Sequence, residues 1–325
     1  MAKAATVKLN NGQEMPLLGL GTYALNFNLT EEGNALPTLS HLDERDGSKN
    51  QQCQLSVEAA IAAGYRHIDT AAFYKNEEEV GLGIRNKIAD GTVTREEIFL
   101  TTKLWNDGHE TDKVKPALEA SLARFGLDYV NLYLIHWPIG VKDDGTFSDV
   151  DYLDTWKGME EVLSLGLTKT IGVSNFNIPQ LERLLKNCKV KPAVNQVEMN
   201  PNLNQKAMLK FCKEQGIQVT AYSPFGSMPE FRTTETSPAP RLDDPVLTAI
   251  ANKYGKSTTQ VVLRYLLDNG AAAIPKSVTP ARIAKNIDIF DFHLTAEELA
   301  QVDSFNKNHR VVAVPFWKDH KHFPF

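Results

Sequence analysis

The sequence predicts an α/β fold in which eight parallel strands close into a (β/α)8 barrel, preceded by an N-terminal β-hairpin. Eight short apolar runs follow one another along the 325 residues, and segments with helical spacing separate them. Such alternation favours parallel strands joined by helical crossovers, and eight units of this kind close into a barrel. Barrels of about 250 residues or more remain one domain. We therefore expect a single domain over residues 1–325.

The first predicted element is the hairpin. The pair Asn11–Gly12 separates the stretches ATVKLN and QEMPLL. Asn-Gly pairs tolerate the positive φ angles of a two-residue type I′ turn. We therefore predict a hairpin closed by that turn.

The eight predicted strands are the apolar runs, which read in chain order LLGLGTY, HIDTA, IFLTTKL, YVNLYLIHW, TIGVSN, AVNQVEM, QVTAYSP and AAIPKS. The helical segments between them include KVKPALEASLARFGL, LDTWKGMEEVLSLGL, NIPQLERLLKNC and NQKAMLKFCKEQGI. Several of these end at glycine, which adopts the left-handed C-cap conformation most easily. These segments therefore carry their own signal for where the helix ends.

One stretch favours a doubly wound dinucleotide-binding fold instead. GLGTYA matches the pattern G-x-G-x-x-A at Gly19, Gly21 and Ala24. A phosphate-binding fingerprint must open a helix, and the following LNFNLTEEGNALPTLSH does not continue as one. A turn at the end of the first barrel strand is the preferred interpretation.

Composition limits the partners. The net charge of -5 argues against nucleic acids and anionic membranes, both of which require a basic surface. Cys53, Cys188 and Cys212 are too few and too irregularly spaced for a disulfide framework or a zinc site. The N-terminus lacks the apolar core of a secretory signal, and no window approaches the roughly 18 apolar residues of a membrane span. We expect a soluble, cytoplasmic protein without a metal.

Polar residues stand where three neighbouring strands end. Asp69, Lys103 and His136 close the second, third and fourth strands, and Tyr74 is predicted to begin the helix after the second. Each has a structural explanation when taken alone: a helix cap, an ion pair, packing, or a core histidine. In a barrel, however, active sites lie at the carboxyl ends of the strands. Their coincidence at one end therefore indicates a site.

The charges of these residues suggest a reaction. An ammonium at Lys103 would favour the phenolate of Tyr74 and lower its pKa, and Asp69 would keep the lysine charged. A proton donor suits carbonyl reduction, in which hydride addition creates an alkoxide that needs a proton. His136 is expected to orient the carbonyl by a hydrogen bond. The hydride must come from a cofactor.

Seven motifs then point to a family. GYRHIDTAAFYKNE, TTKLW, LIHWP, IGVSNF, NQVEMNP, AYSPFG and IPKSVTPARIAKN resemble, in order and spacing, those of the aldo-keto reductases. The resemblance runs from about residue 6 to the end. It implies a monomeric (β/α)8 barrel that binds NADPH or NADP+ in an extended form without a Rossmann fold.

The resemblance also implies roles for individual residues. Asp69, Tyr74, Lys103 and His136 match the catalytic tetrad, with Tyr74 as the general acid. The positions matching cofactor contacts are Gly21, Thr22, Ser174, Asn175, Gln196, Tyr222, Ser223, Phe225, Gly226, Ser227, Lys276, Ser277, Val278, Arg282 and Asn286. Among them, Tyr222 would stack on the nicotinamide, and the last five would hold the adenosine 2′-phosphate and the adenine. The positions expected to contact substrate are Tyr23, Trp105, Trp137, Phe316 and Trp317.

The phosphate end can also be interpreted from the residues themselves. In IPKSVTPAR, Thr279 can cap a helix that starts at Pro280. The N-terminus of a helix attracts anions, and Lys276 and Arg282 flank this one. The sequence therefore predicts a site for the 2′-phosphate of NADPH.

Some features depart from the family pattern. Lys285 stands where many relatives have Glu, and Tyr23 where many have Trp. Residues 24–50 form a predicted first βα loop roughly twenty residues longer than usual, whose apolar residues would cover an apolar substrate. The apolar residues of this loop are Leu25, Phe27, Leu29, Leu36 and Leu39. Residues 309–325 correspond to the family's C-terminal substrate loop and supply aromatic side chains, among them Phe323 and Phe325.

We expect NADPH-dependent reduction of aldehydes or ketones to alcohols. Relatives that reduce steroid C=C bonds have Glu where this chain has His136, so double-bond reduction is not expected. The long first loop and the aromatic tail resemble those of insect members, which suggests a steroid or ecdysteroid ketone. Two alternatives stay open: an NADPH-binding regulatory or structural barrel with little turnover, and a Schiff-base aldolase with Lys103 as nucleophile. Asp69 argues against the aldolase, because an attacking lysine must be neutral.

Overall fold

The computed structural model describes residues 4–23, 51–142 and 144–325. The predicted first loop, residues 24–50, lies outside the described residues together with its five apolar side chains. Its proposed role as a cover over substrate therefore stays a prediction.

The N-terminal hairpin is present, but the predicted turn type is wrong. Strand β1 (Thr6–Lys8) pairs antiparallel with β2 (Glu14–Pro16). The N–H of Leu9 donates to the carbonyl of Gln13, and only Gly12 of the loop has a positive φ, 87°. A type I′ turn needs a positive φ at both central residues. Asn11 instead donates its side-chain amide to Lys169 O at 3.0 Å and to Thr170 Oγ1 at 2.9 Å, which ties the turn to the barrel.

The eight predicted barrel strands are all present and parallel. They are β3 (Leu20–Gly21), β4 (His67–Asp69), β5 (Phe99–Leu104), β6 (Leu132–Ile135), β7 (Ile171–Ser174), β8 (Val194–Glu198), β9 (Gln218–Tyr222) and β10 (Ala272–Ala273). Each pairs with its sequence neighbours from β3 to β10. Bridges of Leu18 to Ala273 and of Gly21 to Lys276 join the last strand to the first. The (β/α)8 prediction is confirmed, and these bridges close the barrel.

Glycine permits this closure. A Cβ on Gly21 would lie 2.7 Å from the carbonyl oxygen of Ile274, and one on Gly19 would lie 2.8 Å from the ring of His67. The two glycines therefore allow close approach of the first strand to its neighbours. That requirement gives these two glycines a structural reason that does not involve phosphate binding.

Helices surround the barrel. In the described part of the chain they are α1 (Gln52–Ala62), α2 (Glu77–Ala89), α3 (Thr111–Phe125), α4 (Tyr152–Ser164), α5 (Ile178–Asn187), α6 (Lys206–Gln215), α7 (Pro245–Tyr254), α8 (Thr258–Asp268), α9 (Pro280–Ile287) and α10 (Ala296–Asp303). Gly126 after α3 and Gly216 after α6 adopt the expected left-handed C-cap, with φ of 62° and 69°. No helix among these has the length and apolar character needed to cross a membrane.

Two buried apolar clusters pack against the barrel, and the second shows which end is covered. The larger core fills the space between the strands and the helices. A second cluster joins Leu9 and Met15 of the hairpin to Phe99, Leu132 and Val194 at the amino ends of the strands. The hairpin therefore covers this end, and the carboxyl ends of the strands lie at the opposite end of the barrel.

Candidate active site

Three of the four predicted catalytic residues lie together at the carboxyl ends of neighbouring strands. Asp69 is the last residue of β4, Lys103 is the penultimate residue of β5, and His136 directly follows β6. Because parallel strands all end on the same side of the barrel, this placement follows from the strand boundaries.

Tyr74 joins them from a different element than predicted. It ends a single 3-10 turn, Ala72–Tyr74, whereas α2 begins only at Glu77. The prediction that Tyr74 begins this helix is therefore wrong. Asn76 explains the delay, because its side chain accepts a hydrogen bond from Thr70 Oγ1 at 3.0 Å and donates to Thr22 O at 2.9 Å. These bonds hold the chain in an irregular path before the helix.

A buried ion pair lies under the site. Lys103 Nζ donates to Asp69 Oδ1 at 2.6 Å and to Thr70 O at 2.8 Å, and Lys103 is fully buried. The second carboxylate oxygen accepts from Gln196 Nε2 at 2.7 Å. Buried pairs are tolerated when further hydrogen bonds satisfy both ions, as they do here. The ammonium is therefore fixed in place by three strands.

The same burial sets the protonation of Tyr74. Desolvation raises the pKa of Tyr74 well above its usual value, and the negative charge of Asp69 raises it further. Lys103 Nζ lies 5.2 Å from the centre of the phenol ring. The predicted lowering of this pKa is therefore wrong, because desolvation is the largest cause of the shift and Asp69 adds to it. Tyr74 is consequently a protonated phenol, which is the form that can donate a proton.

The Lys103 ammonium is itself disfavoured by burial. Desolvation lowers the pKa of Lys103, while the charge and hydrogen bond of Asp69 oppose this shift. The geometry favours the charged form, since both groups within hydrogen-bond reach of Nζ are acceptors.

His136 is neutral. Burial lowers its pKa well below the usual value, and the Lys103 charge lowers it further. A neutral imidazole has one N–H donor and one acceptor nitrogen. The ring meets Tyr74 edge-on, with centroids 5.8 Å apart, and Nδ1 has no hydrogen-bond partner among the described residues. His136 can therefore donate one hydrogen bond beside the phenol.

Aromatic rings enclose the tetrad. Tyr23 lies 5.0 Å from Tyr74 between ring centroids, and Trp105 lies 5.1 Å from His136. Trp317, from the C-terminal segment, packs 6.0 Å from Trp105 and 5.3 Å from Trp137. Of the five predicted substrate residues, Tyr23 and Trp105 therefore contact the tetrad, and Trp317 and Trp137 pack behind Trp105. The fifth, Phe316, contacts Trp317 but is 44% exposed.

The predicted nicotinamide contacts form a network on β7, β8 and β9. Asn175 has a left-handed backbone with φ of 64°, which Asn tolerates better than most residues. Its Nδ2 donates to His136 O at 3.0 Å, and its Oδ1 accepts from the Tyr222 hydroxyl at 2.8 Å. Ser174 Oγ donates to Gln196 O at 2.8 Å. The Tyr222 ring is therefore held at a fixed angle beside His136.

The side-chain amide of Gln196 has a defined orientation. An ionised carboxylate can accept hydrogen bonds but cannot donate them. The nitrogen of the Gln196 amide, which donates, must therefore face Asp69. The oxygen is then left to accept a hydrogen bond from another group.

The remaining groove residues lie at the ends of β3 and β9. Thr22 donates from Oγ1 to Asp69 O at 3.0 Å, beside Gly21. After β9, Ser223 and Gly226 have φ of 46° and 51°, which makes the segment turn sharply. Phe225 and Ser227 belong to the same turn, at the rim of the barrel.

The phosphate end matches the prediction in part. Helix α9 begins at Pro280 with Thr279 as N-cap residue, but the Thr279 side chain makes no capping hydrogen bond. Ser277 Oγ instead accepts from Thr279 N at 3.1 Å. Lys276 and Arg282 are exposed on either side of this turn. Val278 lies in the same turn, and Asn286 is buried near the end of the helix.

Sequence reasoning missed three residues near the site. Arg232 donates from Nη1 to Ser223 Oγ at 2.9 Å, and desolvation lowers its pKa while Glu198 opposes the shift. Glu198 is fully buried at the end of β8, and the charges of Arg232 and Arg310 act on its carboxylate. The stretch around Arg232 has no periodicity that could reveal it. Glu198, by contrast, follows Gln196 by two residues, so strand alternation could have placed both on one face.

Comparisons with known proteins agree with this geometry. The sequence profile of the Aldo/keto reductase family matches residues 38–307. The silkworm (Bombyx mori) aldo-keto reductase AKR2E4 is 49% identical over 322 residues, which cover 99% of each chain. Mouse (Mus musculus) estradiol 17 beta-dehydrogenase 5 is 42% identical over 337 residues, which cover 100% of this chain and 98% of the mouse protein.

Solved structures give the same result. The crystal structure of AKR2E4 in complex with NADP superposes with a TM-score of 0.91 at 48% identity, with 100% of both chains covered. The structure of aldo-keto reductase AKR2E5 complexed with NADPH gives 0.92 at 45% identity, covering 100% of this chain and 94% of the other. The family match spans most of the sequence, and the relatives are aligned over nearly their whole length. The chain therefore belongs to the aldo/keto reductase family.

Proposed function

We propose that the protein reduces aldehyde or ketone carbonyls to alcohols with NADPH as cofactor. The observation that carries this proposal is the protonated Tyr74 held beside the Lys103–Asp69 pair and the neutral His136. Membership of the family supports it, and so do the complexes of two relatives with NADP and NADPH.

The groove suits NADPH. The Tyr222 ring, fixed by its hydroxyl bond to Asn175, offers a flat surface for the nicotinamide. The free oxygen of the Gln196 amide is an acceptor for a carboxamide N–H. At the other end, the start of α9 with Lys276 and Arg282 complements a phosphate dianion. When bound, the reduced nicotinamide supplies a hydride to the carbonyl carbon.

The tetrad handles the oxygen and the proton. His136 donates a hydrogen bond to the carbonyl oxygen and orients it. Tyr74 gives its phenolic proton to the alkoxide that forms, and the Lys103 ammonium stabilises the phenolate left behind. Asp69 keeps that ammonium in position through the 2.6 Å bond.

Burial of Lys103 disfavours the Schiff-base aldolase. A nucleophilic lysine needs a free lone pair and room for substrate at Nζ. Lys103 is fully buried, and its nitrogen donates to Asp69 and to Thr70. Nothing in the site favours a purely regulatory or structural barrel.

The proposed substrate is a bulky ketone, with a steroid or ecdysteroid ketone as the specific expectation. The aromatic wall consists of Tyr23, Trp105, Trp137 and Trp317. Tyr23 and Trp105 offer half-buried apolar surface beside Tyr74 and His136, and the buried Trp317 packs on Trp105. The mouse relative, named as an estradiol dehydrogenase, supports a steroid. Reduction of C=C bonds is not expected with histidine at position 136.

We also propose a cytoplasmic monomer. The resemblance to the family implies the monomer, and Cys53, Cys188 and Cys212 are free thiols, as a reducing compartment favours. Light scattering of the purified protein at micromolar concentration tests the monomer. Fractionation of expressing cells tests the compartment.

A panel of carbonyl compounds tests the activity. Loss of NADPH absorbance should occur with small aldehydes and with steroid ketones, and the purified product should be the alcohol. A regulatory barrel would bind NADPH without steady oxidation. A protein that binds NADPH tightly but oxidises it with none of the carbonyls would refute the proposed function.

A further inference from the structure

The C-terminal segment, residues 309–325, reaches the site through Trp317 and is tied to the barrel mainly at its two ends. Near the last residues, Asn177 Nδ2 donates to Pro324 O at 3.1 Å and Gln180 Nε2 donates to His322 O at 2.8 Å. Between the ends, Trp317 is 4% exposed and packs on Trp105 and Trp137. The position of Trp317 therefore depends on what holds the two ends.

Two anchors hold the first end. The His309 N–H donates to Asn202 O at 3.0 Å, and one carboxylate binds the residues that follow. Glu198 Oε1 accepts the backbone N–H of Val311 at 2.8 Å, and Oε2 accepts that of Val312 at 2.9 Å. The two bonds join residues 113 and 114 positions apart in sequence. Glu198 itself is 0% exposed. The segment is therefore clamped to the end of strand β8 by two charge-assisted bonds shielded from water.

Burial raises the pKa of Glu198, and the two backbone N–H groups of the clamp oppose this shift. The guanidinium groups of Arg310 and Arg232 both act on the Glu198 carboxylate. Arg310 also lies with its guanidinium carbon 3.5 Å from the centre of the Phe325 ring, which packs on Trp137 at 5.9 Å. The start of the segment is thus linked to its end and to the aromatic wall.

Strand alternation places the clamp next to the catalytic machinery. Gln196, two residues before Glu198 on β8, donates to Asp69. Side chains at i and i+2 of a strand lie on one face. One face of β8 therefore supports both the catalytic ion pair and the segment that carries Trp317.

We propose that Glu198 is a positioning residue for substrate selection, which holds the C-terminal segment where Trp317 forms the substrate wall with Trp105 and Trp137. This inference rests on the proposed carbonyl reduction. Removing the clamp loosens the wall used by a large ketone and leaves the tetrad, and hence small aldehydes, unaffected.

The test compares Glu198→Gln with a matched control. Glu160 on α4 accepts the backbone N–H groups of Lys189 at 2.7 Å and Val190 at 2.8 Å, far from the site. Glu160→Gln therefore removes the same charge from another carboxylate that accepts two consecutive backbone N–H groups, here both on Oε1. KM and kcat are measured with a steroid ketone and with propanal, and the NADPH Kd is measured by fluorescence titration.

In Glu198→Gln, KM for the steroid ketone should rise about tenfold, since bonds to charged groups are the stronger ones. The propanal constants and the NADPH Kd should stay within about twofold. Amide hydrogen exchange at Val311 and Val312 should become faster. Glu160→Gln should change none of these. An equal rise in KM for both substrates, or wild-type exchange at the two amides, would overturn the proposal.

A second mutation checks that the effect acts through the tryptophan. In a Trp317→Ala background, Glu198→Gln should add nothing to KM for the steroid ketone, because residues that act through one contact are not additive. Additive effects would contradict the positioning role. If Glu198→Gln does not fold, Val312→Pro repeats the test. Proline has no backbone N–H, so this variant deletes one of the two hydrogen bonds to Glu198 and keeps the carboxylate.

Failure of the proposed function is distinguishable from failure of this inference. If the wild type reduces neither substrate, the proposed activity is refuted. Amide exchange and the Kd of the steroid ketone, measured by quenching of tryptophan fluorescence, need no turnover. Unchanged values of both in Glu198→Gln would then refute the clamp, and faster exchange with weaker ketone binding would support it.

Discussion

Tyr74 receives two opposing influences, and their balance decides its chemistry. A nearby ammonium favours a phenolate, and Lys103 Nζ lies 5.2 Å from the centre of the ring. Desolvation and Asp69 raise the pKa of Tyr74 and favour the phenol. The phenol prevails, so the residue enters the reaction carrying its proton. Lys103 then contributes after the transfer, when the negative charge moves onto the tyrosine oxygen.

Tyr74→Phe tests this role at the scale of one atom. The substitution removes the acid but keeps the ring, so kcat for carbonyl reduction should fall by about 10²- to 10⁴-fold. Binding of NADPH, followed by fluorescence titration, should be nearly unchanged. Tyr129→Phe is the control, because this ring packs against Arg95 and Lys169, away from the site, and loss of its hydroxyl should leave kcat unaltered. Comparable turnover in the two variants would exclude Tyr74 as the acid.

The pH profile tests the direction of the pKa shift. Only protonated Tyr74 donates, so activity is present below its pKa and is lost as pH rises through it. Since burial raises this pKa above the ordinary value of 10, kcat for reduction should not decline between about pH 7 and about pH 9. Initial rates at saturating NADPH and substrate provide the measurement. A decline centred near neutral pH would instead mean that Lys103 controls the phenol.

At the scale of the element, the start of α9 sets cofactor choice. Pro280 has no N–H, and the Thr279 side chain leaves the first turn without a capping bond. The Arg282 N–H already donates to Thr279 O, so the Ala281 N–H is the first-turn donor left for an external anion, with the side chains of Lys276 and Arg282 beside it. NADPH differs from NADH by the 2′-phosphate that such a site would bind.

Arg282→Ala should therefore weaken NADPH binding and spare NADH. A charge-assisted bond contributes about 1.5 to 3 kcal/mol, so the NADPH Kd should rise by roughly 10- to 150-fold. Fluorescence titration with both cofactors measures this. Lys285→Ala removes a cation from the last turn of the same helix and should alter neither affinity appreciably. Equal losses for NADPH and NADH in Arg282→Ala would show that the arginine supports the shape of the loop instead.

At the scale of the whole molecule, the site depends on closure of the barrel between its first and last strands. Gly21 lies at that seam and pairs with Lys276, so the groove and the seam share residues. The backbone of the first strand approaches the Ile274 carbonyl too closely for any side chain. Closure and cofactor binding are therefore coupled.

Gly21→Ala should open this seam. Its added Cβ would lie 2.7 Å from a backbone oxygen that cannot move freely, so the free energy of unfolding should fall by about 1 to 3 kcal/mol. Gly140→Ala is the matched control, since its added Cβ would lie 3.2 Å from the Ser148 side chain. The free energy of unfolding should fall by less in this variant. Urea denaturation followed by circular dichroism compares them. Equal losses of stability would show that the seam has no special strain.

Sequence alone determined the architecture and the location of the site. Strand and helix periodicities are local, so eight alternating runs sufficed to predict the barrel. Polar residues at the ends of three runs then had to meet, because parallel strands end on one side. The helix start at Pro280 was predictable for the same reason, since proline acts on its own backbone.

Tertiary structure decided what depends on burial or on distant partners. The pKa of Tyr74 is raised because surrounding residues exclude water, and no spacing in the sequence encodes that exclusion. Asn11 selects its turn by bonding to Lys169 and Thr170, and Glu198 finds its donors more than a hundred residues away at Val311 and Val312. Local propensity cannot anticipate such bonds, because their free energy exists only once the barrel has brought both groups together.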